Sequence, residues 1–446
     1  MSDAVSDLPH DLVSRALKAG ADAAEAVVSE RQSLSVGVRL GRLEEVEREE
    51  SRDLGLRVFI GRRQASVSAS DLSPETARRL VERAVAMARL APEDPYTGLA
   101  PQEMLANGAR PDLDLYDPAE PSAETLEQRA LAAEDAARAV AGVTNSEGGS
   151  ASWSRGRWRL VTSAGFEGLH EGSASSLSAS VIAGEGSGME RGGEGRTTRW
   201  AADLPSPESV GRAAGERAVS RVGARKIGSR TATVVVENRI AASLLSAFVG
   251  AASGPAVARG VSFLKDRLGE RVFSEAITLV DDPFRPRGLA STPFDDEGVR
   301  VQALRLVDRG VMTTWLLNAS AARQLGLAST GHASRGLAGP AGVSAHNLHV
   351  EPGEADMAGL MRQAGEGLLV TAMFGPSLNA NTGDWSAGVS GFWFEGGEIA
   401  YPVTEITVAG NLPEIYGRLV PGSDLEFRGS INAPSLMAEG VAIAGL

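Results

Sequence analysis

The chain has 446 residues, with 44 Lys and Arg against 57 Asp and Glu (net charge −13) and with 43% apolar and 23% charged side chains. That length calls for two domains, or three, and the composition is that of a globular protein rather than a disordered one. The acidic balance argues against a nucleic-acid groove as the main function, and the absence of cysteine excludes disulfides, thiolate zinc sites, iron–sulfur ligation and cysteine nucleophiles.

The first residues, MSDAVSDLPHDLV, carry neither a basic n-region nor an apolar h-region. No run approaches the roughly 20 apolar residues of a membrane span. A cytoplasmic protein without membrane contacts is expected. A helix is predicted near Asp7–Lys18, then strand-like runs SLSVGVRLG at 33–41 and LGLRVFIG at 54–61. SPETARRLVERAVAMARL follows, in which Ser73 is a natural N-cap and Pro74 suits the first helical position. Residues 91–121, rich in Pro, Asp and Gly, form a long connection. A second helix is predicted near Ser122–Val140, then strand-like GSASWSRGRWRLVTS and SASSLSASVIAGEG, and finally SPESVGRAAGERAVSRV. There Ser206-Pro207-Glu208 repeats Ser73-Pro74-Glu75, and Glu216–Val219 repeats the ERAV of Glu82–Val85. The repeated helix–strands–helix order predicts an internal duplication, units 1–95 and 120–225, within an N-terminal α+β domain over 1–225. From about Arg230 strand-like runs predominate, broken by Gly, Pro, Asn and Asp. They predict a β-rich C-terminal domain over 226–446, so the fold class is α+β. Ile399, Tyr401 and Val403, just after Gly396-Gly397, predict an antiparallel hairpin.

The motif screen is mostly negative. No Gly-Lys pair exists for a Walker A loop, and GEGSG at 184–188 lacks dinucleotide spacing. Ser390 in GVSGF has Gly388 before it but Phe392 after it, so there is no nucleophile elbow. The histidines are His10, His170, His332, His346 and His349. His170-Glu171 begins like a zinc-protease motif, but Ala174 and Ser175 end it. His346 and His349 point to opposite faces if they lie on a strand, so a zinc site there needs a turn and a third ligand such as His332. Solvated loop histidines are the simpler reading. Asp281-Asp282-Pro283 and Asp295-Asp296-Glu297 are acidic clusters in turn contexts, expected to be solvated loops rather than acid/base pairs. The six tryptophans are most simply core or interface aromatics.

The stretch NTGDWSAGVSGFWFEGGEIAYPVTEITVAGNL (Asn381–Leu412) resembles the signature region of the TldD/PmbA family, once called modulators of DNA gyrase. STPFDDEGV (Ser291–Val299), LNASAARQLGLASTGHA (Leu317–Ala333) and APSLMAEGVAIAG (Ala433–Gly445) are similar to the same family in the same order, as is the N-terminal region from GADAAEAVVSE onward. The resemblance implies a two-domain fold and a pair of related subunits. The TldD type carries zinc in an HExxxH helix with a later cysteine ligand and acts on unfolded or extended peptides; the PmbA type, also called TldE, lacks the motif. In the family the motif sits in a context like LLHEAVGH. Leu244-Leu245 and Val249-Gly250 of LLSAFVGAA match its leucines and its valine–glycine, so the first histidine falls on Ser246, the glutamate on Ala247 and the second histidine on Ala251. Serine and alanine supply neither metal ligands nor a base.

The resemblance thus implies a non-catalytic subunit with no catalytic residue and no metal of its own, paired with a TldD-like zinc subunit in a cytoplasmic peptidase. The alternative is a homodimeric peptide- or protein-binding regulator without proteolysis. A third reading is a hydrolase using a relocated site around His332, His346 and His349. Peptide held by strand addition suits broad sequence tolerance, and the candidate contacts are Asn381, Gly383, Asp384, Ser386, Gly391 and Phe392. For each glycine the simpler role is a turn or bulge.

Overall fold

A computed structural model describes residues 3–445. The N-terminal half runs α1 (Asp3–Lys18), β1 (Ala23–Arg39), β2 (Arg42–Ile60), β3 (Arg63–Ala69) and α2 (Pro74–Leu90), then α3 (Ala123–Arg138), β4 (Val143–Thr162), β5 (Glu167–Ala183), β6 (Glu190–Thr198) and α4 (Pro207–Ser220). Ser73, Ser122 and Ser206 cap α2, α3 and α4, accepting the N–H of Thr76, Thr125 and Ser209. Each cap satisfies one of the four free N–H groups at a helix start.

The six strands form one antiparallel sheet in the order β3-β2-β1-β4-β5-β6. Its midline is the β1–β4 pair, from Glu25 opposite Thr162 to Val38 opposite Gly149, so the two predicted repeats meet through their first strands. Each half buries its own helix pair. Leu12, Leu54, Leu56, Val58, Leu80, Val81 and Val85 form one core; Val36, Trp153, Leu177, Val181, Leu126 and Val210 form the other. In the second, α4 approaches α3 so closely that a Cβ at Gly211 would lie 2.0 Å from the Ala133 carbonyl oxygen. The strands outrun their predicted spans. β2 is 19 residues long, and its first nine, Arg42–Glu50, are all exposed. With no buried face there, alternation carries no signal.

The C-terminal half begins with β7 (Arg230–Val236), α5 (Asn238–Ala251), α6 (Gly254–Ala258), β8 (Leu279–Asp281), β9 (Leu304–Asp308), β10 (Val311–Met312) and α7 (Ala319–Leu325). It continues with β11 (Ala333–Ser334), β12 (Gly342–Val343), β13 (Leu348–Val350), α8 (Met357–Ala364), β14 (Glu366–Leu378), β15 (Asp384–Glu395) and β16 (Glu398–Asn411). α9 (Leu412–Tyr416), β17 (Val420–Pro421), β18 (Ile431–Asn432) and β19 (Leu436–Ala444) complete it. One sheet has the order β16-β15-β14-β7-β19-β17, and a further β16–β19 pairing closes five of these strands on themselves. The predicted Gly396-Gly397 hairpin joins β15 to β16, with both glycines at positive φ (59° and 81°) as a tight turn of matching twist requires. A second sheet, β10-β9-β8-β13-β18, packs beside α5 around a shared core that includes Leu245, Phe248, Phe273 and Tyr416.

The two halves meet on the sheet face opposite the N-terminal helices. Phe166 and Phe294 stack edge to face at 5.1 Å, beside Val27, Leu160, Val299 and Ala319. Alongside lie four buried charges: Glu25 (1% exposed) and Arg57 (4%) from the first half, Glu297 (3%) and Arg335 (8%) from the second. Arg335 donates to Glu25; Arg57 lies 3.4 Å from Glu25 and 3.7 Å from Glu297. Removing one member strands a buried charge, whereas replacing a pair with apolar groups does not. Glu25→Leu should therefore destabilise the protein by about 3–5 kcal/mol in denaturant unfolding, and Glu25→Leu/Arg335→Met should recover most of that loss; a double variant as unstable as the single would refute the ionic account.

Candidate functional site

Helix α5 carries the motif positions. Its inner face (Leu244, Leu245, Phe248, Ala251) is buried, and Tyr416 Oη donates to the Leu244 carbonyl at 2.7 Å. Ser246 is exposed and its hydroxyl donates only to the Ala242 carbonyl one turn back, at 3.0 Å. Ala247 is half-buried and Ala251 lies in the core at 5% exposure. None of the three side chains offers a ligand atom for zinc other than one already engaged hydroxyl, so the metal the family frame implies does not fit here.

The candidate peptide segment spans the β14–β15 turn and β15. Asn381 and Asp384 are exposed at the turn, where Asp384 accepts from the Thr382 hydroxyl (2.7 Å) and the Asn411 side-chain amide (3.1 Å). Those bonds hold its carboxyl below the usual range. Gly383 has φ +82° and a Cβ there would sit 2.5 Å from Pro413 Cδ; at Gly391 it would sit 1.9 Å from the Leu369 carbonyl oxygen. Ser386 and Phe392 are half-buried on a strand whose backbone is paired on both sides, by β14 and β16. The free backbone lies next door. β14 pairs with β7 only over 367–370, and from Thr371 to Leu378 that edge has no strand beside it among the described residues. This edge runs past α5, where the Ser243 hydroxyl reaches Met373 Sδ at 3.3 Å.

The histidines and acids are where sequence expectations are corrected. His332 (1% exposed) and His346 (5%) are not solvated loop residues; both are held by Asp281, itself fully buried. Asp281 Oδ2 accepts from His332 Nε2 (2.9 Å) and His346 Nδ1 (2.7 Å), while Oδ1 accepts the His346 backbone N–H (2.8 Å). Thr330 Oγ1 meets His332 Nδ1 at 2.8 Å and completes the chain. His349 stays apart, its ring 5.0 Å from that of Phe427, so the trio His332–His346–His349 does not assemble. Asp281, His332 and His346 do offer three ligand atoms within 4.8 Å of one another. Their O···N distances are hydrogen-bond lengths, below the ~3.3 Å spacing of two ligands on a tetrahedral ion with bonds of about 2.0 Å; a metal would require a small expansion and loss of both protons.

The second acidic cluster is likewise interior. Asp295 accepts the N–H groups of Glu297, Val299 and Ala333, and Glu297 accepts that of Ala319. Burial, with Glu297 nearby, pushes the half-buried Asp296 up to about 6. Burial opposes ionisation of Asp281 too, but the bonds from His332 and His346 outweigh it and hold its carboxyl below the usual range. Burial lowers His332, and lowers His170 to about 4.

A histidine whose folded pKa lies below its unfolded value near 6.5 binds its proton more readily when unfolded, so stability is lost as pH falls through 6.5 toward the folded value. Asp281 acts in the same direction at lower pH, and Asp296 in the opposite one between about 4 and 6. His170→Asn should thus lose less stability than the parent between pH 7 and pH 4.5; equal losses in thermal melts at the two pH values would exclude His170 as a contributor.

Three family descriptions match successive parts of the chain: PmbA/TldA metallopeptidase domain 1 over residues 24–88, the central domain over 116–222 and the C-terminal domain over 229–445. The metalloprotease PmbA of Escherichia coli O157:H7 is 39% identical over 426 residues, covering 95% of this chain and 92% of that one. The PmbA homolog of Haemophilus influenzae is 38% identical over 97% of this chain and 94% of its own. Among solved structures, a candidate modulator of DNA gyrase from Bacteroides thetaiotaomicron superposes with a TM-score of 0.92 at 27% identity, over 99% of both chains. TldE from Thermococcus kodakarensis shares the fold, with a TM-score of 0.87 at 22% identity over 98% of this chain and all of that one. With its α+β architecture, three matched domains and near full-length relatives, the chain belongs to the PmbA/TldD metallopeptidase family.

Proposed function

We propose that this chain is the non-catalytic, TldE-like member of a two-subunit cytoplasmic metallopeptidase that cleaves unfolded or extended peptides, with zinc and the catalytic base supplied by a TldD-like partner. The observation that carries this is α5: Ser246, Ala247 and Ala251 stand at the motif positions, and their side chains offer no metal-ligand set, while the helix packs by its apolar face and accepts a bond from Tyr416.

A role in holding substrate is supported by the open edge of β14. Residues 374–378, with Phe374 58% exposed and Leu378 38% exposed, present backbone groups and apolar side chains beside α5. An extended peptide can add there through main-chain bonds, which depend little on its sequence. Asn381 and Asp384 sit at the end of this edge, and Gly383, Ser386, Gly391 and Phe392 shape the strand behind it.

Mixing this chain with a TldD-like zinc subunit should give peptide cleavage well above that of either chain alone. A mixture no more active than the zinc subunit, from a chain that forms only homodimers, would favour a peptide- or protein-binding regulator instead. Ser246→Ala should leave that mixed activity unchanged and stability within about 0.5 kcal/mol; loss of cleavage with an intact fold would contradict the non-catalytic assignment.

A further inference from the structure

A cavity of about 220 Å³ lies between the two halves, lined from the N-terminal sheet by Trp158, His170 and Arg199 and from the C-terminal half by Asp296 and His346, among others. Its polar groups are only partly satisfied by the protein. The Arg199 guanidinium donates to the carbonyls of Ser173, Gly288 and Leu289, but no carboxylate pairs with it among the described residues. The Trp158 Nε1–H is buried and has no acceptor. Leaving such a donor unsatisfied costs about 1–3 kcal/mol. On the other wall, Asp281 holds the His346 ring through Nδ1, which leaves Nε2 without a protein partner on a side chain that is only 5% exposed; in the Nδ1–H tautomer that nitrogen presents a lone pair. Asp296 is engaged through Oδ2 alone, by the Arg335 backbone N–H.

The two walls differ in character. The N-terminal wall offers an uncompensated cation and an N–H donor, which suit a carboxylate. The C-terminal wall offers an imidazole lone pair and a carboxylate, which suit an ammonium group. The volume falls below the ~300–1,000 Å³ of sites for drug-sized ligands, and the cavity shares Trp158, His170 and Arg199 with a larger cleft of about 980 Å³ through which a ligand can enter.

We infer that this interdomain cavity binds a free α-amino acid, its carboxylate on Arg199 and the Trp158 N–H and its ammonium on His346 Nε2 and Asp296. Such a ligand bridges the two halves and satisfies groups from both. The site is remote in sequence from α5 and does not depend on peptidase activity.

Calorimetric titration of the full chain with glycine, L-alanine, L-leucine, L-phenylalanine, L-glutamate and L-lysine tests this, alongside leucinamide and N-acetyl-leucine as blocked analogues. At least one amino acid should bind with Kd below about 1 mM, and for the best binder, blocking either end should weaken binding at least about tenfold. Arg199→Met should abolish binding. Because Arg199 also ties carbonyls of both halves together, Trp158→Phe serves as the second variant: it keeps an aromatic side chain, removes the indole N–H, and should weaken binding several-fold without unfolding the protein. The inference is overturned if no amino acid binds with Kd below about 1 mM, if the amide binds as tightly as the acid, or if folded Trp158→Phe binds as the parent does.

Discussion

Four charges buried where the N- and C-terminal halves meet set the terms for the rest of this structure. Glu25 and Arg57 project from the central strands of the N-terminal sheet; Glu297 and Arg335 come from loops of the other half. Two carboxylates against two guanidinium groups leave no net charge, the condition under which an interior ionic group is tolerable. The same loops are then pinned from within. Asp295 gathers three backbone N–H groups, from Glu297, Val299 and Ala333, and Glu297 takes the first N–H of α7. Because Ala333 adjoins His332, anchoring the 291–299 loop also fixes where His332 meets Asp281. The polar interior of the C-terminal half is thus one connected system, built outward from the domain seam.

Helix α5 rests on different forces. Its position follows from apolar burial and from buried hydroxyl bonds that Tyr416 and Ser262 donate to the Leu244 and Ala251 carbonyls, with Phe248, Phe273 and Tyr416 packed together at ring separations of 4.5–6.3 Å. Ser246 is outside that packing altogether. At Ser246, though not at the buried Ala251, a side chain can therefore change without disturbing the core beneath the helix.

The sequence made some of this legible and hid the rest for identifiable reasons. Helix starts at Ser73, Ser122 and Ser206 were visible because capping is a local interaction written in two or three residues. The Gly396-Gly397 hairpin was visible because positive φ is required there. The outer part of β2 was not, since a strand without a buried face leaves no alternation. Asp281, Asp295 and Glu297 were misread as solvated turns because their partners are remote: Asp281 is bonded to residues 51 and 65 positions away, and Asp295 to one 38 away. One signal was available. Leu279 and Asp281 are two apart on β8, so the aspartate had to share the inward face of the leucine.

The domain seam treats its polar groups in two ways, and the contrast is informative. Around Glu25, Arg57, Glu297 and Arg335 every charge has an opposite neighbour within 4 Å. A short distance along the same seam, Arg199 has none, Trp158 Nε1 has no acceptor and His346 is oriented with one nitrogen left over. A seam selected only for adhesion has no use for such groups, since each weakens the contact that its neighbours create. Their grouping around one cavity, with cationic and donor groups on one wall and acceptors on the other, is the pattern of a site completed by something other than protein.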